Sequence, residues 1–256
     1  MLLLDFGNSA IKGQWWLKDE VQSSFSCRLS GNWQSRLKPV LPYIESTVDT
    51  TQCYFASVAD SDCEVQLLKY LKAVTGLEHC VRLITHTKSA GVFNGYTDPT
   101  KLGVDRWLAL LGAIDFSDSV DKLIIDAGSA ITVDLLTKDG KHLGGTIFPG
   151  FNTSIARFKQ VMSQADFDHP YIAQTDEPGT STEACIHMNH ASAGALTNTT
   201  MVDQLIARWF KLLSPEAVMI VAGGDAQMIN SHGQHLRYEI PDLVFRGMRK
   251  QLDSQQ

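Results

Sequence analysis

Two short aliphatic runs, each ending at a polar turn, stand out in the pattern of apolar and polar positions along the chain. The first is Leu2 to Leu4, and an apolar segment from Ile11 to Leu17 follows its turn. The second is Leu123 to Ile125, followed by Ile131 to Leu136. Continuous apolar runs of this length, bounded by turn residues, are typical of buried strands. The sequence therefore predicts two strand-turn-strand hairpins with polar tips.

The rest of the chain alternates between predicted strands and predicted helices, a pattern typical of α/β proteins. We predict further strands at 25–29, 54–58, 81–85, 217–222 and 243–245, and one that reaches Ile147. We predict helices over 33–48, 63–75, 104–116, 151–162 and 183–213, and a final helix at the end of the chain. A Gly-, Asn-, Asp- and Pro-rich loop from Ala90 to Thr100 lies between elements, so it is free to carry function.

The second half of the chain repeats the opening pattern. Aligning Asp5 with Asp126 also aligns Gly7 with Gly128 and the aliphatic runs before them. Solenoid repeats are much shorter, about 20 to 50 residues. We therefore predict two related half-domains, residues 1–119 and 120–256, that face each other across a cleft.

Composition and charge disfavour some classes of protein. With 256 residues, of which 44% are hydrophobic, the chain can bury a large core. Its net charge of -6 disfavours a long nucleic-acid footprint, which needs clustered Lys and Arg. No apolar run approaches the roughly 20 residues of a membrane helix, and the start lacks the features of a signal peptide. We expect a cytoplasmic protein that binds neither nucleic acid nor membrane.

The hairpin tips carry residue types suited to phosphate. Glycine at position 7 has no Cβ to block the backbone, so amide groups can reach phosphate oxygens. Asn8, Ser9 and Ser129 can donate further hydrogen bonds, and Lys12 can offset negative charge. One such tip is more often an ordinary turn, but a matched pair favours binding of a triphosphate.

The carboxylates of Asp5 and Asp126 can hold a cation that bridges the phosphates. The P-loop, the dinucleotide-binding glycine motif, the nucleophile elbow and the HExxH zinc motif are all absent from the sequence. Duplicated Asp-Gly hairpins are instead typical of the actin, Hsp70 and sugar kinase superfamily. The hairpins do not indicate which molecule such a kinase phosphorylates, so the acceptor has to be inferred from another segment.

Five segments together make the resemblance specific: DFGNSAIK at 5–12, PTKLGVDRW at 99–107, DAGSAIT at 126–132, GGTIFPG at 144–150 and AGGDA at 222–226. In order and spacing they resemble type III pantothenate kinase. The resemblance implies duplicated actin-like (ribonuclease H-like) half-domains, with mixed sheets flanked by helices and an ATP cleft between them. It also implies a homodimer that phosphorylates pantothenate to 4'-phosphopantothenate, the first step of coenzyme A biosynthesis. ATP with Mg²⁺ and a monovalent cation, K⁺ or NH₄⁺, are the implied cofactors.

The same resemblance implies roles for individual residues. Asp105 matches the catalytic base, which would deprotonate the pantothenate hydroxyl, and Asp126 matches the monovalent-cation ligand. Asp5 is the Mg²⁺ candidate. ATP binding is implied for Asp5, Phe6, Gly7, Asn8, Ser9, Ala10, Ile11, Lys12 and Ser129. Substrate binding is implied for Tyr96, Gly103, Val104, Asp105, Arg106 and Thr182.

Some positions depart from the family pattern, and other interpretations stay open. Ser9 and Ser129 stand where Thr is usual, and Asn189 stands where the family tends to have Gly. Asp105 followed by Arg106 is also compatible with an ordinary helix start, because an acidic residue in the first turn suits the helix dipole. The alternative functions are a non-enzymatic regulator resembling Bvg accessory factor and a superfamily kinase with another acceptor, such as an amino sugar or a short carboxylic acid.

Overall fold

The computed structural model describes residues 1–29, 35, 38–39, 42, 52–75, 80–116, 119–161 and 190–254. The strands are β1 Leu2–Phe6, β2 Ala10–Leu17, β3 Glu20–Arg28, β4 Cys53–Ser57, β5 Cys80–Arg82, β6 Lys88–Ser89, β7 Val92–Phe93, β8 Lys122–Ala127, β9 Ala130–Leu136, β10 His142–Pro149, β11 Val218–Ala222 and β12 Arg237–Glu239. The helices are α1 Ser61–Thr75, α2 Val104–Ala113, α3 Phe151–Val161, α4 His190–Phe210 and α5 Leu243–Asp253. Short 3₁₀ turns cover Pro99–Lys101 and Ala226–Met228.

The chain divides into two compact units. The first contains 1–119, 138–144 and 242–256, and the second contains 120–137 and 145–241. The C-terminal helix α5 therefore belongs with the first unit. Within the residues that the structure describes, no helix is both long and apolar enough to cross a membrane.

The first unit is built on a five-stranded mixed sheet in the order β3-β2-β1-β4-β5. The central strand β1 pairs antiparallel with β2 and parallel with β4. Leu2, Leu4, Phe6, Ile11 and Phe55 are buried in one hydrophobic cluster of this unit. The unbroken apolar run at the start of the chain is explained by this central position, because such a strand has apolar neighbours on both faces.

Helices α2 and α5 pack against each other in the first unit at two glycines. A Cβ at Gly112 would clash with the carbonyl oxygen of Leu243, and one at Gly247 would clash with that of Leu108. The glycines therefore let the two helix backbones approach closely. Residues of α2 are buried along most of its length, including most of the first turn, where the predicted base lies.

The second unit contains the sheet β10-β9-β8-β11-β12. Its central strand β8 pairs antiparallel with β9 and parallel with β11, which repeats the pairing of β1 with β2 and β4. Phe151 of α3 and Val202, Ile206 and Phe210 of α4 are buried against this sheet in one cluster. The spacing of the three α4 residues places them on one face of the helix.

The structure confirms an α/β protein with two mixed sheets, but it corrects the sequence prediction near the end of the chain. Residues 243–245 form the first turn of α5 rather than a strand, and Arg237–Glu239 forms a strand, β12, that was not predicted. A short apolar run such as 243–245 does not distinguish a buried helix turn from a buried strand. The predicted helix over 33–48 falls largely outside the described residues, as does the start of the one over 183–213.

Candidate active site

The first hairpin tip is a tight turn between β1 and β2. Asp5 lies opposite Lys12 and Phe6 opposite Ile11 in the pairing register, and the Gly7 amide donates to the Ala10 carbonyl at 3.0 Å. A Cβ at Gly7 would lie 3.1 Å from that same carbonyl oxygen. Glycine therefore keeps the turn closed without crowding.

The residues of this tip divide into buried and accessible groups. The side chains of Phe6 and Ile11 belong to the hydrophobic core of the first unit, so these two residues can reach a ligand only through their backbone. Asn8 and Ser9 are exposed. The Ser9 carbonyl accepts from the Leu29 amide at 2.7 Å, which ties the tip to the end of β3.

The second hairpin tip repeats this arrangement with a shorter turn. Asp126 lies opposite Thr132, and the Gly128 amide donates to the Ala130 carbonyl at 2.9 Å. Ser129 is exposed, and its carbonyl accepts from the Gly150 amide at 2.9 Å. The registers show that this turn has one residue fewer than the first, so the repeat is not exact at the tip itself.

Asp126 lies at the end of β8 beside the glycine turn that follows β11. Gly223 has a φ of +92°, and a Cβ there would lie 2.5 Å from the Asp126 Oδ1 atom. The Asp225 amide donates to the Ala127 carbonyl at 2.8 Å, and Asn152 donates to the Asp225 carboxylate at 3.0 Å. Asn152 and Asp225 were not assigned from the sequence, although the motifs that contain or adjoin them were recognised.

The described residues contain no group of three or more His, Cys, Asp or Glu side chains arranged to hold a metal ion. A cation at Asp5 or Asp126 could take further oxygen ligands from backbone carbonyls, water or a bound ligand. Such a ligand set suits Mg²⁺, because this ion commonly uses one or two carboxylates together with substrate phosphates.

The predicted base lies in the first turn of α2. Gly103 is the N-cap residue, with φ −55° and ψ 137°, and Asp105 follows in the first turn. The Arg106 amide donates to the Asp105 Oδ1 atom at 2.8 Å. A Cβ at Gly103 would lie only 2.6 Å from that oxygen. Glycine thus leaves the space that the Asp105 carboxylate occupies.

A 3₁₀ turn leads into this helix and is capped by Asp98. The Thr100 hydroxyl donates to the Asp98 Oδ1 atom at 2.6 Å, and the Thr100 amide donates to it at 3.0 Å. Both hydrogen bonds favour the charged carboxylate, so they lower the pKa of Asp98. The bond from the Thr100 hydroxyl has the larger effect and the bond from the Thr100 amide the smaller one. The cap holds the segment just before Gly103 in one conformation.

Arg106 is a buried cation. Its side chain is 8% exposed, its Nη1 atom donates to the Tyr96 hydroxyl at 3.0 Å, and its guanidinium carbon lies 5.8 Å from the Tyr96 ring centroid. Val104 beside it is buried. A guanidinium presents several N–H donors in a planar fork, so an arginine in this position can receive an anion. The structure brings together Tyr96 and Arg106, two of the residues that the resemblance implies for substrate binding.

Sequence reasoning missed the residues that hold Tyr96 in place. The Asn94 Oδ1 atom accepts from the Tyr96 amide at 2.9 Å. The His142 ring stacks on Tyr96, with centroids 5.9 Å apart and planes at 11°. His142 lies far from Tyr96 in the sequence and in no recognised motif, so no local pattern indicates the contact. Thr182 and Asn189 lie outside the described residues.

Solved structures similar to this chain define its fold class. A Baf family protein from Campylobacter jejuni has a TM-score of 0.60 at 18% identity, covering 100% of this chain and 98% of that one. The activator of 2-hydroxyisocaproyl-CoA dehydratase from Clostridium difficile, with bound ADPNP, has a TM-score of 0.54 at 13% identity, covering 99% and 93%. Identities this low show the fold alone. That fold is the one shared by actin-like ATPases and sugar kinases, which confirms the predicted class.

Sequence comparison defines the family. The family model described as type III pantothenate kinase matches residues 1–208. The type III pantothenate kinase of Cellvibrio japonicus is 30% identical over 254 residues, covering 97% of this chain and 95% of the relative. That of Halorhodospira halophila is 34% identical over 260 residues, covering 96% and 95%. The chain belongs to the type III pantothenate kinase family, and the resemblance seen in the sequence is confirmed.

Proposed function

We propose that this chain transfers the γ-phosphoryl group of ATP to the hydroxyl of pantothenate, forming 4'-phosphopantothenate in the first step of coenzyme A biosynthesis. Family membership along the chain supports the reaction and the acceptor. The observation that carries the mechanism is the adjacency of a half-buried carboxylate, Asp105, and a buried guanidinium, Arg106, at the start of one helix. The Asp105 carboxylate can accept the proton of the acceptor hydroxyl, and the Arg106 guanidinium can bind the acceptor's negative charge.

In this mechanism Asp105 is the general base. Its Oδ1 atom is oriented by the Arg106 amide, so its carboxylate can point at a hydroxyl that attacks the γ-phosphorus. Pantothenate is a carboxylate, and Arg106 with the Tyr96 hydroxyl offers donors for it. Gly103 and Val104 complete the backbone of this site, and Thr182 is proposed as a further substrate contact.

We assign ATP binding to the segment from Asp5 to Lys12 and to Ser129. The exposed Asn8, Ser9 and Ser129 can donate to phosphate oxygens, while Phe6, Ala10 and Ile11 contribute backbone groups. Asp5 would hold Mg²⁺, which when bound neutralises charge on the phosphates. Asp126 would hold K⁺ or NH₄⁺.

Two further properties are proposed from the family resemblance. The protein acts as a homodimer, and it works in the cytoplasm, where ATP and pantothenate are available. Size-exclusion chromatography with light scattering measures the first directly.

The test of the function is ADP release with ATP, Mg²⁺ and pantothenate, run with K⁺ or with Na⁺ as the sole monovalent cation. We expect pantothenate-dependent turnover that needs K⁺. Asp105→Asn should lower kcat by about 10²- to 10⁴-fold, the range that general base catalysis contributes. Asp242→Asn is the matched control, because Asp242 is the N-cap residue of α5 and has no proposed role in the reaction.

The outcomes separate the alternatives. No turnover in either salt, from protein shown to be folded, would reject the kinase and favour a non-enzymatic regulator. Turnover with an amino sugar or a short carboxylic acid, but not with pantothenate, would reject the acceptor. Near-normal kcat in Asp105→Asn would reject Asp105 as the base.

A further inference from the structure

The loop that carries Tyr96 packs against the turn between β9 and β10. The Phe93 amide donates to the Gly140 carbonyl at 2.8 Å, and Phe93 forms a parallel bridge with Lys141. A Cβ at Gly95 would clash with the carbonyl oxygen of His142. These contacts all lie within the first unit, and they bring the backbones of the two segments into direct contact.

A side chain next to this turn, that of His142, contacts the proposed acceptor site. His142 is 3% exposed, and its Nδ1 atom accepts from the Gly95 amide at 3.4 Å. An imidazole nitrogen can accept a hydrogen bond from a backbone amide through its lone pair. The face of the same ring stacks on Tyr96.

A chain of contacts therefore runs from His142 to the buried cation. The His142 ring fixes the plane of the Tyr96 ring, and its Nδ1 atom fixes the backbone amide just before Tyr96. The Tyr96 hydroxyl in turn accepts from the Arg106 Nη1 atom. Since Tyr96 is only half-buried, packing around it alone does not determine its position.

We propose that His142 is a positioning residue for the acceptor: it holds Tyr96, and through Tyr96 the guanidinium of Arg106, in the geometry that receives the acceptor's carboxylate. His142 itself touches neither the substrate nor the reacting atoms. The proposal rests on the proposed function, because the ligand of Arg106 is taken to be pantothenate. It predicts an effect on acceptor binding that is separate from ATP binding and from overall stability.

Three variants separate the two contacts that His142 makes. His142→Ala removes both the ring and the acceptor nitrogen, His142→Phe keeps a ring, and His142→Asn keeps an acceptor for the Gly95 amide. We expect His142→Ala to raise the KM for pantothenate about tenfold, because one hydrogen bond and one aromatic contact are lost. The other two variants should fall between it and the unchanged protein, and the KM for ATP should stay within about twofold in all three.

A double-mutant cycle tests whether His142 acts through Tyr96. In a Tyr96→Ala background, His142→Ala should raise the KM for pantothenate by less than about twofold, because coupled residues are not additive. His235→Ala is the matched control: the His235 ring stacks on Phe210 at 3.8 Å and its Nδ1 atom contacts the Ala217 carbonyl at 2.8 Å, but it belongs to the second unit. It should lower Tm and leave the KM for pantothenate unchanged.

Each result decides the matter. An unchanged KM for pantothenate in His142→Ala, an equal rise in both KM values, or full additivity with Tyr96→Ala would overturn the positioning role while leaving the proposed function intact. Absence of pantothenate-dependent turnover in the unchanged protein would overturn the proposed function, and the role of His142 toward this acceptor with it. A selective and non-additive rise in the KM for pantothenate would establish the role.

Discussion

Gly103→Ala is the smallest change that should displace the predicted base without unfolding the site. The φ of Gly103 is −55° and its ψ is 137°, a conformation that alanine adopts without strain. The added methyl group would nevertheless lie 2.6 Å from the Asp105 Oδ1 atom, whereas ordinary contacts of a Cβ begin at 3.4 Å. The backbone can stay where it is, but the carboxylate has to move.

The size of the effect follows from that distance. The difference between 2.6 and 3.4 Å requires the Asp105 oxygen to move by about 0.8 Å. Misplacing a catalytic group by roughly 1 Å can cost on the order of 10²-fold in rate. Replacing glycine by alanine at an N-cap costs only about 1 kcal/mol of stability. We therefore expect kcat to fall on the order of 10²-fold while the protein stays folded.

Steady-state ADP release at saturating ATP and pantothenate measures kcat, and urea unfolding measures stability. Asp60→Ala is the matched control, because the Asp60 carboxylate accepts from the Asp62 and Cys63 amides at 3.1 Å at the start of α1. Losing that cap should cost about 1 kcal/mol of stability and leave kcat unchanged. If Gly103→Ala kept kcat within about twofold, the close fit between Gly103 and the Asp105 carboxylate would not matter for turnover, and the reasoning would fail.

Two further predictions test the packing and the electrostatics of the first unit. Gly247→Ala should destabilise the protein by roughly 1 to 3 kcal/mol, because its methyl group would meet the Leu108 backbone; an unchanged urea midpoint would contradict this. Thr100→Val removes the main hydrogen bond that lowers the pKa of Asp98, so the pKa should rise toward its ordinary value, as an NMR titration of the carboxyl carbon can show. A lowered carboxyl pKa stabilises the fold above the ordinary pKa and loses that effect as pH falls through the lowered one. The stability of the variant should therefore fall less than that of the unchanged protein as the pH is lowered. An Asp98 titration that does not shift would contradict the assignment.

Local sequence was sufficient for the elements whose pattern is strong. The β1–β2 and β8–β9 hairpins, the start of α2 at Val104 and the strand β11 lie within a few residues of their predicted positions. Each combines a long apolar run or periodicity with a clear turn or cap. Family membership followed from the same segments, because the spacing of several motifs is far more specific than any one of them.

The sequence by itself thus determined the fold class, the repeated hairpins and the placement of Asp105 and Arg106 at one helix start, since all of these depend on residues close together in the chain. Only the tertiary structure decided that 243–245 is helical, because the α2–α5 glycine packing selects the helix for a run that is ambiguous in isolation. Only the tertiary structure brought His142 to Tyr96. Contacts between distant segments depend on how whole elements pack, and a single sequence has no local periodicity that records them.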